Sequence, residues 1–200
     1  AVSSQEDVVP GDDVVIAVVF DHDAGWHIHT NRPDVPPELG EADDYVATEL
    51  LVELDPRSGL TAHAPFIQWP EEHVVQVAFG ASPVDYAVYE GRAIAYLPIT
   101  VAADAAPGTT IVRIRPVFQV CDDTTCLAPS PRPGESGWNE YGIPVELTIG
   151  PLSDKTTSPT PDPALFGDFD PGVFERIRAG EAPPDVVAFD TFGLNFDIDA

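Results

Sequence analysis

The chain has 200 residues, of which 44% are hydrophobic, so it is long enough and apolar enough to bury a core. Its 34 Asp and Glu residues outnumber 9 Lys and Arg residues, which gives a formal net charge of -25. Such an acidic chain repels nucleic acid and anionic lipid surfaces, which both require a cluster of basic side chains. No run approaches the roughly 18 to 20 consecutive apolar residues of a membrane-spanning helix, so we expect a soluble, monomeric domain.

Short runs of β-branched and aromatic residues recur up to Gly150, separated by Gly, Pro and Asp, whereas helical periodicity is scarce. Runs of this kind are typical of β-strands. The predicted strands cover residues 14–20, 26–30, 46–54, 74–79, 93–101, 110–120 and 143–149. Short strands joined by Pro- and Gly-rich turns predict an all-β fold, an immunoglobulin-like β-sandwich over residues 1–150.

The composition changes after Gly150. Residues 151–163 are rich in Pro, Ser, Thr and Asp and predict an extended linker, and a short helix is predicted at 171–179. The stretch 186–198 is apolar and aromatic, which is unusual for a free chain end. We therefore predict a second region, 151–200, made of a Pro-rich, largely irregular linker and a tail. No leader-like segment opens the sequence, so we expect that any targeting signal has been removed or was never included.

The two cysteines, Cys121 and Cys126, lie in the segment VFQVCDDTTCLAPS at the end of the longest predicted strand. In a hairpin with residues 122–125 as its loop, the flanking residues face each other at a Cα separation of about 4.5 to 5.5 Å, which suits a disulfide. The bond could be redox-active, structural, or replaced by a metal. A loop of about six residues stabilises a fold by only about 2 kcal/mol, which favours the redox interpretation over a structural one.

The residues around the pair bear on its chemistry. Asp122 and Asp123 disfavour a neighbouring thiolate, so we expect weak nucleophiles and an oxidised pair that an external low-pKa thiolate attacks through a mixed disulfide. No second cysteine pair completes a four-ligand zinc site, and we predict no metal and no cofactor. His27 and His29 share one side of a predicted strand, which leaves copper or zinc binding open beside a role as half-buried sandwich residues.

Five segments in this order resemble the N-terminal domain of the thiol:disulfide interchange protein DsbD family. Together they extend over about residues 8–150, and the cysteine motif, with Gln119 two residues before the first cysteine, is the most specific of them. The tail FDTFGLNFDI resembles the stretch that leads into the first membrane helix of these proteins. The five segments are GWHIHTNRP at 25–33, APFIQWPEE at 64–72, AFG to VYEG at 78–91, LPITV at 97–101 and FQVCDDTTCLAP at 118–129.

The resemblance implies a domain on the periplasmic side of the bacterial inner membrane whose cysteines carry electrons. A membrane domain and a thioredoxin-like domain supply the electrons, and periplasmic isomerases or cytochrome c maturation proteins accept them. Cys121 and Cys126 correspond to the family's redox pair. A cap loop shields that pair in the family, and its aromatic residue corresponds to Phe79, with Tyr86 and Tyr89 nearby.

The chain departs from better-known family members in two places. Those proteins separate their cysteines by five residues, and they carry aromatic residues where this chain has His27 and His29. Two other functions therefore stay open: a non-catalytic immunoglobulin-like binding module with a structural hairpin disulfide, and a copper-handling domain. The sequence has no GxSxG motif and no recognisable carboxylate pair, so hydrolase activity is not predicted.

Overall fold

A computed structural model describes residues 1–79, 82–132, 134–135, 138–151 and 161–184. Most of the predicted linker and the apolar stretch 186–198 lie outside these residues. The strands are β1 (Val2–Ser3), β2 (Asp7–Val8), β3 (Asp13–Asp21), β4 (His27–His29), β5 (Glu49–Glu53), β6 (Leu60–Ala62), β7 (His73–Val77), β8 (Val84–Glu90), β9 (Arg92–Val101), β10 (Gly108–Val117), β11 (Val120–Cys121) and β12 (Ile143–Ile149).

The helices are short. They are α1 (Trp138–Tyr141), α2 (Pro163–Phe166) and α3 (Val173–Ala179), and single 3-10 turns occur at Pro37–Leu39, Ala42–Asp44 and Ala64–Phe66. Within the described ranges, no helix is long and apolar enough to cross a membrane.

Three four-stranded sheets form the body of the protein. Their strand orders are β1-β3-β9-β6, β2-β12-β10-β5 and β11-β4-β8-β7, and the pairing is antiparallel except between β2 and β12. The all-β sandwich predicted from the sequence is confirmed. The predicted strand 110–120 is divided into β10 and β11, because Phe118 leaves the ladder with β5 and pairs with Ser130 instead.

The main core lies between the first two sheets. Alternate residues of β3 and β9 face alternate residues of β10 and β12, as the two-residue period of a strand requires. In β10, for example, Val112 and Ile114 are fully buried, whereas Ile111 is 43% exposed. The fully buried members include Val14, Ile16, Leu97, Ile99, Val112, Ile114 and Leu147.

The strands β4 and β8 of the third sheet are covered on both faces. One face packs Ile28 and Tyr89 against Phe20 and Trp69, next to the main core. The opposite face packs Val77, Tyr86 and Val88 under the irregular segment 31–48, which contributes Leu39 and Tyr45, and under Phe79. Because the cysteine hairpin joins this sheet through the β11–β4 pairing, its position depends on both layers of packing.

Residues 161–184 pack on the outer face of the first sheet. Tyr96 contacts Phe169 at a ring separation of 5.5 Å and donates its hydroxyl to the Leu165 carbonyl at 2.9 Å. The Gln68 amide donates to the Asp168 carbonyl at 2.7 Å and accepts from the backbone N–H of Asp170 at 2.9 Å. The predicted helix at 171–179 is observed as α3. Its attachment explains why β3 is apolar on both sides, since Val15 and Ala17 face this segment.

Four observed strands were not predicted: β1, β2, β6 and β8. Two of them are only two residues long, and β6 has three, so none of these carries a periodic signal. The seven residues of β8, VDYAVYE, mix acidic and aromatic side chains and show no clear apolar side in the sequence. The structure places Tyr86 and Tyr89 in this strand and not in a cap loop.

The attachment of the C-terminal segment can be tested with Phe174→Ala. Phe174 is 6% exposed and packs at 6.0 Å on Phe169, which in turn contacts Tyr96 of the first sheet, so we expect its truncation to weaken the docking of the segment by about 3 kcal/mol. Limited proteolysis should then cut within 161–184 faster than in the parent protein. Glu175→Ala, on the exposed side of the same helix, serves as the control. Equal cleavage rates in the two variants would contradict the docked arrangement.

Candidate functional site

The cysteine pair forms a disulfide across a tight hairpin. Cys121 and Cys126 are joined at an S–S distance of 2.09 Å, with their Cα atoms 4.0 Å apart. The backbone N–H of Asp122 donates to the Thr125 carbonyl at 2.9 Å, and that of Leu127 donates to the Val120 carbonyl at 2.8 Å. The predicted loop of residues 122–125 is confirmed, and the Cα separation is slightly shorter than expected.

The Asp122 carboxylate organises the loop. Its Oδ1 accepts hydrogen bonds from the backbone N–H groups of Thr124 and Thr125, both at 2.8 Å, and from the Thr124 hydroxyl at 2.9 Å. The two backbone bonds are the main cause of the lowered pKa of Asp122. The carboxylate is therefore charged at neutral pH and is held by the loop itself.

The two sulfur-bearing residues differ in exposure. Cys121 lies in β11 opposite His27 of β4 and is completely buried. Cys126 follows the loop and is only half-buried. A reagent that arrives from solvent therefore reaches the Cys126 side of the bond first.

His29 packs directly against the buried cysteine. Its Nε2 lies 3.4 Å from the Cys121 Sγ, and its Nδ1 lies 3.2 Å from the Tyr86 hydroxyl. Burial lowers the pKa of His29 to about 4, so the ring is neutral at pH 7. Burial also raises the pKa of Tyr86, which keeps its hydroxyl protonated. When this hydroxyl donates to Nδ1, the ring proton is on Nε2 and points at the sulfur.

Tyr45 is a site residue that the sequence did not reveal. Its ring lies 5.2 Å from the His29 ring, 5.9 Å from Tyr86 and 6.2 Å from Phe79. The segment 31–48 carries it there because Thr48 closes that segment on β4, donating its hydroxyl to the His29 carbonyl at 2.5 Å. A single tyrosine in an acidic, Pro-rich loop gives no pattern that would have identified it.

Phe79 lies beside the disulfide loop, as the resemblance suggested for the shielding aromatic. The backbone N–H of Ala78 donates to the Asp123 carbonyl at 2.6 Å, which joins the two segments, and Phe79 packs on the cluster that contains Tyr86. Tyr86 and Tyr89, which the resemblance places near the shield, are 2% and 1% exposed in β8. Tyr89 is on the opposite face of the sheet, stacked on Trp69 at 6.3 Å.

Gln119 and His27 flank the pair from two sides. The Gln119 amide accepts from the backbone N–H of Val46 at 3.3 Å and donates to the Leu127 carbonyl at 3.1 Å, which ties the hairpin to the segment before β5. His27 is 2% exposed, not half-buried, and its Nε2 has no hydrogen-bond partner among the described residues. Burial is the largest cause of its lowered pKa.

A compact group of possible metal donors includes His29 but not His27. In the described part of the chain, one nitrogen of His29 and the sulfurs of Cys121 and Cys126 all lie within 4.8 Å of one another. The HxH pattern noted in the sequence therefore contributes one histidine to this group.

Comparisons with known proteins identify no family. No protein family model matches the sequence, and neither does any curated protein. A solved structure of a family 123 glycoside hydrolase from Clostridium perfringens is similar over 73% of this chain at 10% sequence identity, with a TM-score of 0.34. The chain spans 22% of the length of that structure.

The burial of neutral His29 predicts a pH dependence of stability. Its pKa is about 4 in the folded protein and about 6.5 when unfolded, so only the unfolded state gains this proton as the pH falls below 6.5. The free energy of unfolding is therefore highest above pH 6.5 and decreases towards pH 4. We expect a decrease of about 2 kcal/mol between pH 7 and pH 4.5. Denaturant unfolding at several pH values measures this decrease.

The variant His29→Phe keeps an aromatic ring in the pocket but has no titrating group. We expect its free energy of unfolding to fall less steeply than that of the parent protein between pH 6.5 and pH 4.5. Both proteins retain His27 and His63, so any contribution from these residues is common to the two curves. Identical slopes would show that His29 is not buried in neutral form.

Proposed function

We propose that this chain is an extracytoplasmic thiol-disulfide exchange domain that transfers electrons between thioredoxin-like proteins. The proposal rests mainly on one observation: the disulfide has one half-buried and one fully buried end, and the buried sulfur contacts His29. The resemblance of the cysteine segment to the DsbD family supports the same function. It also supports a location on the periplasmic side of the inner membrane and attachment to a membrane electron-transfer domain.

The exchange begins at Cys126. A thiolate of the reduced partner attacks the Cys126 sulfur, because Cys121 is fully buried whereas Cys126 is only half-buried. The Cys121–Cys126 bond breaks, a bond between the partner and Cys126 forms, and Cys121 leaves as a thiolate. The partner's second thiolate then attacks the partner sulfur of the mixed disulfide. The partner becomes oxidised, and the domain gains two electrons and takes up two protons.

His29 stabilises the leaving group. Its Nε2 is 3.4 Å from the Cys121 sulfur before the reaction, so an N–H at this position donates to the thiolate without a large movement. Tyr86 holds the other ring nitrogen and fixes the orientation of the imidazole. The same contact operates in reverse when the reduced domain passes its electrons to an acceptor, since Cys121 must then return to the disulfide.

An apolar surface next to the hairpin supports contact with a partner protein. Leu127 follows Cys126 directly and is 51% exposed. It lies at the edge of a cavity of about 450 Å³ whose walls include Trp26, Phe118 and Val120. An exposed apolar side chain next to the attacked cysteine, backed by an apolar cavity, favours contact with a protein over contact with a small, strongly hydrated thiol.

Trapping of a mixed disulfide tests the proposal. In Cys121→Ser, Cys126 keeps a free thiol at the accessible position. We expect it to form a stable mixed disulfide with a thioredoxin-like protein whose single cysteine is activated as a mixed disulfide with thionitrobenzoate, which leaves as the free thiolate. Cys126→Ser, with its only thiol buried, is the matched control and should be trapped far more slowly. Non-reducing electrophoresis and mass spectrometry measure the product.

The reduction potential distinguishes exchange from a structural role. We expect equilibrium with glutathione to give a potential near or above about -250 mV, whereas structural disulfides typically lie below about -300 mV. A bond that stays closed at the lower potential and traps no partner would identify a binding module with a structural hairpin disulfide.

The shielding role of Phe79 gives a kinetic prediction. Phe79 packs with Tyr45 beside the loop, so Phe79→Ala should open the Cys126 side and raise the rate of disulfide reduction by dithiothreitol several-fold. Val74→Ala, at a 69% exposed position of β7 in the same sheet, is the control. A rate unchanged in Phe79→Ala would remove Phe79 from the shield.

A further inference from the structure

Reduction of the disulfide converts the hairpin into a set of three metal donors. The Cys121 and Cys126 sulfurs and a ring nitrogen of His29 already lie within 4.8 Å of one another, and two of these three residues are fully buried. The donors come from two segments that the β4–β11 pairing brings together. The set therefore belongs to the folded sheet and is absent from the unfolded chain.

The distances suit a single bound ion. A metal about 2.0 Å from a histidine nitrogen and about 2.3 Å from a sulfur, in trigonal geometry, separates these two atoms by about 3.7 Å. The observed separation of Nε2 and the Cys121 Sγ is 3.4 Å. The same geometry separates the two sulfurs by about 4 Å, which rotation of the side chains achieves in a hairpin whose Cα atoms are 4.0 Å apart.

The surroundings orient the histidine as in a metal site. Histidine ligands usually donate their second ring N–H to a neighbouring acceptor, which fixes the ring and its tautomer. Here the Tyr86 hydroxyl lies 3.2 Å from Nδ1. In the metal-free protein this hydroxyl donates to Nδ1 and Nε2 carries the ring proton. Metal binding selects the other tautomer, in which Nδ1–H donates to the hydroxyl and Nε2 is free to bind. The Tyr45 ring covers the imidazole at 5.2 Å.

The donor set selects the metal. Zn²⁺ in a closed site takes four ligands, and within the described ranges the cluster offers three. Two thiolates and one imidazole form a soft set, which is the kind that Cu(I) prefers. We propose that the reduced domain binds one Cu(I) ion through Cys121, Cys126 and His29.

Reduction of the disulfide followed by Cu(I) binding requires a dithiol donor and no oxidant. Reduction of the disulfide takes two electrons and two protons from a dithiol donor, and Cu(I) binding then releases the two thiol protons. The metal stays in the Cu(I) state throughout. Because both sulfurs become ligands, bound Cu(I) blocks their attack on a disulfide, so metal binding and thiol exchange exclude each other.

The test is an anaerobic titration of the full chain, reduced with a phosphine, against Cu(I) buffered by a bicinchoninate chelator. We expect one Cu(I) per reduced chain and none per oxidised chain. Cys126→Ser should abolish the stoichiometric binding. His29→Phe should weaken it by about tenfold or more, whereas His73→Ala, a partly exposed histidine of the same sheet, should leave it unchanged.

X-ray absorption of the copper complex provides a second measurement that does not depend on variant folding. We expect two sulfur neighbours and one nitrogen neighbour in the reduced parent protein. Two sulfurs without nitrogen, binding retained in folded His29→Phe, or equal binding by the oxidised chain would overturn the site. Loss in His27→Phe but not in His29→Phe would do the same.

This inference requires only that the disulfide can be reduced, and it does not depend on exchange with a partner. Mixed-disulfide trapping uses no metal, and copper titration uses no partner. Failure of either experiment therefore leaves the other proposal standing.

Discussion

Burial of β4 and β8 on both faces of the third sheet is the constraint on which the cysteine site depends. Its inner face is fixed by Trp69 stacked on Tyr89, next to the main core. Its outer face carries His29 and Tyr86 under the segment 31–48. Because β11 has only two residues and joins the sheet through its pairing with β4, the position of the hairpin depends on this packing and not on a long ladder of its own.

The same packing makes the two ends of the disulfide chemically different. Cys121 lies in the strand and faces a neutral imidazole in a pocket of aromatic rings, whereas Cys126 lies outside the strand beside a charged, hydrogen-bonded loop. The surroundings of Cys121 are suited to stabilise a leaving thiolate, and the more accessible position of Cys126 is suited to attack by an incoming thiolate. Both proposals use this asymmetry: exchange depends on the accessible sulfur, and metal binding depends on the buried sulfur with its histidine.

The strands with a strong apolar period were predicted from the sequence because their burial leaves a local pattern. The bounds of β12 agree with the prediction, and β3 and β9 agree to within one residue at each end. The strand β8 was missed, since its burial comes from layers on two faces and its sequence alternates without a clear apolar side. The hairpin loop was predicted because the spacing of two cysteines restricts the chain locally.

The sequence by itself determined the all-β class, the acidic surface and the disulfide hairpin, because charge, alternation and cysteine spacing are properties of neighbouring residues. The tertiary structure alone decided which sulfur is buried, that His29 and not His27 contacts it, and that Tyr45 covers the site. These facts depend on contacts between residues tens of positions apart in the sequence, such as the contact between Cys121 and His29. Such contacts are set by sheet register and by the path of loop 31–48, and no local pattern encodes either.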